Sequence, residues 1–285
     1  EPAKGEYKTV FGNCTDAQVF GTTPRETPLL RMNPFAFPEN IHILEHIDRL
    51  VEIFNACWPM YAAMPAVLKD AIERSYQKVG WDLRNSESEK GVFPTFFDLL
   101  DILPGVIEES HYSKDTQSDY VGALCTRVKS LTNGIYGSVL CAEDALSDAE
   151  MFDQNVIVDL SRVGSMETKS LLMGILVMKL QEYRMCSSGM NSRLRHVTVL
   201  EEAHNLLRKT SAEQSQEGAN LQGKSVEMLA NAIAEMRTYG EGFIIADQAP
   251  GLLDMSVIRN TNTKIILRLP DEEDRKLVGK SAALK

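Results

Sequence analysis

The sequence predicts an α/β protein with a mainly parallel sheet and a mostly helical subdomain. Three observations carry this. From residue 151 onward, short apolar runs alternate with helix-forming segments. Residues 39–150 instead show the three- and four-residue apolar spacing of amphipathic helices. Finally, three apolar runs end in polar groups, Asp159 and Ser161, Glu201 and Glu202, and Asp247 and Gln248. Parallel strands bring such ends to one sheet edge, where open α/β sheets bind ligands.

The chain opens with EPAKGEYKTVFG, whose glycines and proline read as a loop in mid-fold. TPLLRMNPFAFPEN follows, and Pro28, Pro34 and Pro38 favour an extended crossing. Ile43, Ile47, Leu50, Val51 and Phe54 then mark a helix, and Pro59 and Pro65 separate it from another that ends near Val79. PTFFDLLDIL and DYVGALCTRVKSL read as further helices, punctuated by Gly80, Gly91, Gly105 and RNSESEK. NVIVDLS, 155–161, is a buried-type strand and 168–184 a long helix. HVTVLEE, 196–202, is the next strand, its side chains expected to be buried on both faces. A polar loop is expected over 209–224, a helix over 226–238, and strands at GFIIADQ, 242–248, and TKIILRL, 263–269. Parallel pairing with right-handed crossovers follows from this alternation.

With 285 residues and 44% hydrophobic content, the chain can bury a full core. No apolar run approaches the ~18 residues of a spanning helix. The cysteines, Cys14, Cys57, Cys125, Cys141 and Cys186, are scattered and lack CxxC spacing, as expected of reduced thiols in a cytoplasmic protein. The net charge of −10 arises in the first half, where residues 1–150 carry 13 Lys+Arg against 23 Asp+Glu; the remainder is balanced at 17 against 17. Any DNA contact must therefore be local, such as loops facing a pore.

The chemistry centres on RHVTVLEEAHNLL, 195–207. Two carboxylates closing an apolar strand suit nucleotide hydrolysis: Glu201 to hold Mg²⁺, usually through water, and Glu202 to orient or deprotonate the attacking water. A solvated acidic pair at a helix start is the competing reading. GANLQGKS, 218–225, fits the phosphate-loop pattern with Lys224 and Ser225 in the key places, but the hydrophilic RKTSAEQSQE before it supplies no strand, which favours a surface loop. HILEH, 42–46, matches the signature of inverted zinc peptidases, with Glu45 as base; an amphipathic helix with polar-face histidines is the simpler account.

GEY (5–7), LLRMNPFAFP, VIVDLSRV, HVTVLEEAHNLL, EMRTYGEGFIIADQAPGLLD and IRNTNTKIILRL, in this order, resemble the HerA/FtsK-type P-loop ATPases, bacterial HerA-like ATP-binding proteins in particular. The resemblance covers most of the chain and is weakest over 39–150. It implies a RecA-like core divided by the helical subdomain, with 1–38 and 151–285 belonging to the core. It also implies a cytoplasmic homohexameric ring that binds ATP and Mg²⁺ and drives translocation or unwinding of duplex DNA, with a nuclease as possible partner. Glu201 and Glu202 match the Walker B acids, Gln248 the glutamine that senses the γ-phosphate, and Arg237 an arginine that contacts phosphate in its own site or a neighbour's. Asp247, beside Gln248, joins the nucleotide-binding set. Glu6, and with it Glu1, match the acidic motif after the phosphate loop's helix, while Arg259 and Arg268 are further arginine candidates. In the family the phosphate loop and first strand precede the EPAKGEY segment. A fragment that binds MgATP weakly or not at all is therefore expected, from a parent that is an ATPase. The alternatives are a motor of a secretion or conjugation system, a zinc peptidase through HILEH, and a non-catalytic scaffold.

Overall fold

The computed structural model describes residues 1–13, 16–61, 63–210 and 216–282. Cys14 and residues 211–215 of the expected polar loop lie outside them. The opening segment forms a short helix, α1 (Tyr7–Val10), and then a strand, β1 (Ala17–Gly21), which the sequence reading did not anticipate. After the proline-rich crossing come α2 (Ile43–Cys57) and α3 (Met64–Lys78), separated as the prolines require. Ile43, Ile47, Leu50, Val51 and Phe54 form the buried stripe of α2, as their spacing predicts.

A two-residue hairpin, β2 (Trp81–Asp82) with β3 (Glu87–Ser88), leads to α4 (Phe96–Glu109). Thr95 and Asp98 close a reciprocal capping box at the start of α4. The next helical run is α5 (Lys114–Tyr120), a π-helical turn (Val121–Cys125) and α6 (Thr126–Thr132); α7 (Gly134–Leu140) and α8 (Asp148–Phe152) complete the region.

The remaining chain alternates as expected: β4 (Asn155–Asp159), α9 (Met166–Ser187), β5 (His196–Glu201), α10 (Gln216–Glu235), β6 (Glu241–Ala246), then α11 (Met255–Asn260) and α12 (Glu272–Ser281). Pairing is parallel, β1 with β4 from Ala17↔Asn155 to Gly21↔Asp159, and β5 with β6 from His196↔Glu241 to Glu201↔Ala246. The buried apolar side chains of α2, α3, α4, α9, α10 and β5 belong to one cluster.

Three expectations fail. Residues 216–224 are not loop but the first turns of α10, where the apolar stripe Val226, Leu229, Ala230 and Ile233 continues as a buried face and packing overrides the weak helix propensity of the glycines. TKIILRL is not in a strand. It runs beside no ladder among the described residues, and Ile265 and Leu267 stand 89% and 84% exposed; β-branched residues need a neighbouring strand to realise their preference. Nor is β5 buried on both faces: Leu200 is buried, whereas Val197 and Val199 are 42% and 49% exposed.

Candidate functional site

The β5 strand ends on Glu201, and the chain turns at once. Glu202 adopts a left-handed conformation (φ 48°, ψ 49°), which Asn205 holds by donating both its backbone N–H and its side-chain amide to the Glu202 carbonyl, at 2.9 and 2.7 Å. The turn throws the Glu202 carboxylate toward the loop after β6. There the Gln248 side-chain amide donates to Glu202 Oε1 at 2.7 Å. Two residues far apart in sequence thus meet because β5 and β6 are paired in register and end together.

His204 ties the same two loops. Its backbone N–H and its ring Nδ1 both reach Asp247 Oδ2, at 2.8 and 2.9 Å, and the ring lies 3.5 Å from Glu202 Oε2. The other Asp247 oxygen accepts from the Ala249 N–H at 2.9 Å. Both oxygens of Asp247 are therefore engaged in shaping the loop.

Glu201, the last residue of β5, is half-buried. Its Oε2 is buried without a hydrogen-bond partner among the described residues. A buried carboxylate oxygen calls for a donor or a cation, so the position fits a hydrated Mg²⁺. Glu202, His204 and Asp247 form a second donor group, with ligand atoms within 4.8 Å of one another. Burial and the negative charge of Glu201 raise the Tyr7 phenol above its usual pKa.

Between the ends of β4 and β5 lies Glu1. Its carboxylate accepts from the Glu6 and Tyr7 backbone N–H groups at 2.5 and 2.9 Å, capping α1, while the Glu6 side chain is exposed. Gly5 (φ 68°) passes so close to β4 that a Cβ would stand 2.8 Å from Ser161 Oγ and 3.3 Å from the Asp159 carboxylate. Lys8 bridges Asp159 and Glu26, at 2.7 Å each. Burial opposes ionisation of Asp159, but Lys8 and Ser161 outweigh it and hold its pKa below the usual carboxylate value.

The three polar strand ends thus line one edge, and Glu202 and Gln248 touch. Arg237 does not join them. It is exposed in the 3₁₀ turn Met236–Tyr239 before β6, whereas Gln248 follows that strand's other end. At about 3.3 Å per residue, a six-residue strand separates the two by roughly 16 Å or more. Arg237 therefore stands at the opposite end of β6 from Gln248. Arg259 and Arg268 are exposed.

The two motif alternatives fare differently from the acids. GANLQGKS lies within α10, where Ser225 is buried and donates to Glu52 at 2.6 Å, so no phosphate-cradling loop forms there. In HILEH, His42 caps the start of α2 through Leu44 N–H, while His46 is fully buried with Nδ1 on the Glu182 carboxylate at 3.0 Å. One histidine faces solvent and the other the core, which rules out a shared zinc and with it the peptidase. The sequence reading gave no role to His204 or Lys8; a histidine two places after an acidic pair was the available signal for the first.

The sequence matches no protein-family model and no curated protein. Among solved structures, VirB4 of Thermoanaerobacter pseudethanolicus aligns with 100% of this chain and 72% of its own, at a TM-score of 0.70 and 17% identity. The chain shares the fold of VirB4. That fold is a RecA-like α/β core with parallel strand pairing. The bacterial conjugative coupling protein TrwBΔN70 gives a TM-score of 0.47 at 12% identity, over 93% of this chain and 56% of that one. No described helix is long and apolar enough to cross a membrane.

Proposed function

We propose that this chain carries the acid-and-amide side of an ATP-hydrolysing site in a P-loop motor. The single observation behind this reading is the 2.7 Å contact between Gln248 and Glu202 at the carboxyl end of paired parallel strands. A glutamine held on a general-base carboxylate can report the γ-phosphate to the residue that activates water. Glu201, with its unpartnered oxygen, would hold Mg²⁺, which supplies charge neutralisation to the phosphates when bound. Arg237 would serve a neighbouring subunit's site in a ring, the role left to it by its distance from Gln248.

The likeness to VirB4 favours the secretion or conjugation motor over the HerA-type DNA translocase as the class of machine. Duplex DNA as cargo, a homohexameric ring and a nuclease partner belong to the second reading, which the HerA/FtsK-like motif order supports. ATP turnover by the full protein tests both. Glu202→Gln is expected to lower turnover by about 100-fold or more while leaving nucleotide affinity within a few-fold; unchanged turnover sinks the assignment. Turnover that duplex DNA does not stimulate supports the secretion reading, and salt-sensitive stimulation by DNA supports the translocase.

A further inference from the structure

The two oxygens of the Glu202 carboxylate are held unequally. Oε1 accepts from Gln248 at 2.7 Å, but Gln248 is an exposed, long side chain with room to turn. Oε2 accepts no hydrogen bond among the described residues, and the His204 ring stands beside it with Nδ1 at 3.5 Å. A single bond to one oxygen leaves the plane of a carboxylate free to rotate. A base whose accepting oxygen wanders from the attacking water loses much of its effect, so the neighbour of Oε2 matters.

His204 is anchored well enough to act as that neighbour. The Asp247 side chain, only 3% exposed, accepts twice from this one residue on Oδ2, from the His204 backbone N–H at 2.8 Å and from ring Nδ1 at 2.9 Å. An ionised carboxylate only accepts, so Nδ1 carries the proton and both the tautomer and the orientation of the ring are set. Glu202 Oε2 lies within reach of the same nitrogen, and a small swing of the carboxylate closes a second bond to it. The remaining Asp247 oxygen accepts from the Ala249 N–H at 2.9 Å, which fastens the ring's anchor to the loop that carries Gln248.

We propose that His204 is the positioning residue for Glu202: its Nδ1–H, pinned by Asp247, holds Oε2 and keeps the carboxylate aimed at the attacking water as Gln248 turns to the γ-phosphate. The proposal rests on the reading of Glu202 as the base. His204 acts through that carboxylate, and its removal is felt in the chemical step more than in nucleotide binding.

ATP turnover by the full protein is compared for His204→Ala, His204→Asn, Glu202→Gln and the His204→Ala, Glu202→Gln double variant. The alanine variant keeps the loop, because Asp247 still accepts the backbone N–H groups of residues 204 and 249. Its kcat is expected to fall about 10- to 100-fold with KM for ATP within about twofold. Asparagine sets a side-chain amide N–H near the place of Nδ1, and its kcat is expected to stay within about threefold of the unaltered protein. On the Glu202→Gln background the alanine substitution is expected to cost nothing more, since no base remains to be aimed. Full turnover by His204→Ala beside a slow Glu202→Gln overturns the proposal. So does an equal loss from alanine and asparagine, or the same loss on both backgrounds, which marks a merely structural residue. Normal turnover by Glu202→Gln removes the base itself, and the assignment of His204 goes with it.

Discussion

Glu202 occupies a backbone conformation that costs a non-glycine residue about 1 kcal/mol or more, and Asn205 spends two hydrogen bonds holding it there. The strain is local to the one residue whose carboxylate must leave the strand direction to meet Gln248. Gly5 has the opposite problem: its left-handed conformation and its approach to Ser161 both exclude a side chain. Gly5→Ala is expected to destabilise the fold by about 1–3 kcal/mol, read by chemical denaturation. Lys224 is exposed on α10, outside the acidic edge. Lys224→Ala is therefore expected to leave nucleotide titrations unchanged; loss of micromolar binding would restore GANLQGKS as a phosphate site.

At the scale of elements, α2 and α9 are fastened by a buried charged group. Glu182 of α9 is fully buried and binds His46 Nδ1 at 3.0 Å and Arg49 Nη1 at 3.2 Å, both from α2. Glu182→Ala leaves two cationic or polar partners without an acceptor in the core. Its expected cost is about 3–5 kcal/mol, measured as a lowered denaturation midpoint at unchanged slope. A second such tie lies at the amino ends of β5 and β6, where Glu241 accepts from His196 Nδ1 at 2.8 Å, Thr198 at 2.7 Å and Arg184 at 2.9 Å. These ties lie at the end of the strands away from the acidic edge. Hydrogen bonds made there hold register and leave the carboxyl ends open to a ligand.

Across the whole molecule, several buried carboxylates share one behaviour. For Glu182, Glu241 and Asp159, burial works against the charged form, but the cations and donors around each prevail and depress its pKa. A depressed folded pKa means that the unfolded chain binds protons more readily. Their contribution to stability is thus complete above the ordinary carboxylate range near about 4 and is lost as the pH falls through the lower folded values. Acid unfolding monitored by circular dichroism is expected to set in below about pH 4, and Glu182→Gln is expected to flatten its pH dependence.

The residues 155–159, 196–201 and 241–246 were legible as strands, and 166–187 as a helix, because apolar runs and spacing are local properties that survive in any fold with a buried sheet. The acidic edge was legible for the same reason, since parallel strands must deliver their polar ends together. AQVFG was not, because a five-residue strand of mixed composition is defined by its partner β4, far along the chain. TKIILRL shows the converse, a β-rich sequence with no ladder to join among the described residues. By itself the sequence determined the alternation of elements and which acids close the strands. Only the tertiary structure decided that Glu202 meets Gln248, that Arg237 stands at the far end of β6, and that the two histidines of HILEH face opposite environments. Such outcomes depend on register, turn handedness and helix orientation, which arise when distant segments pack and leave no mark in local spacing.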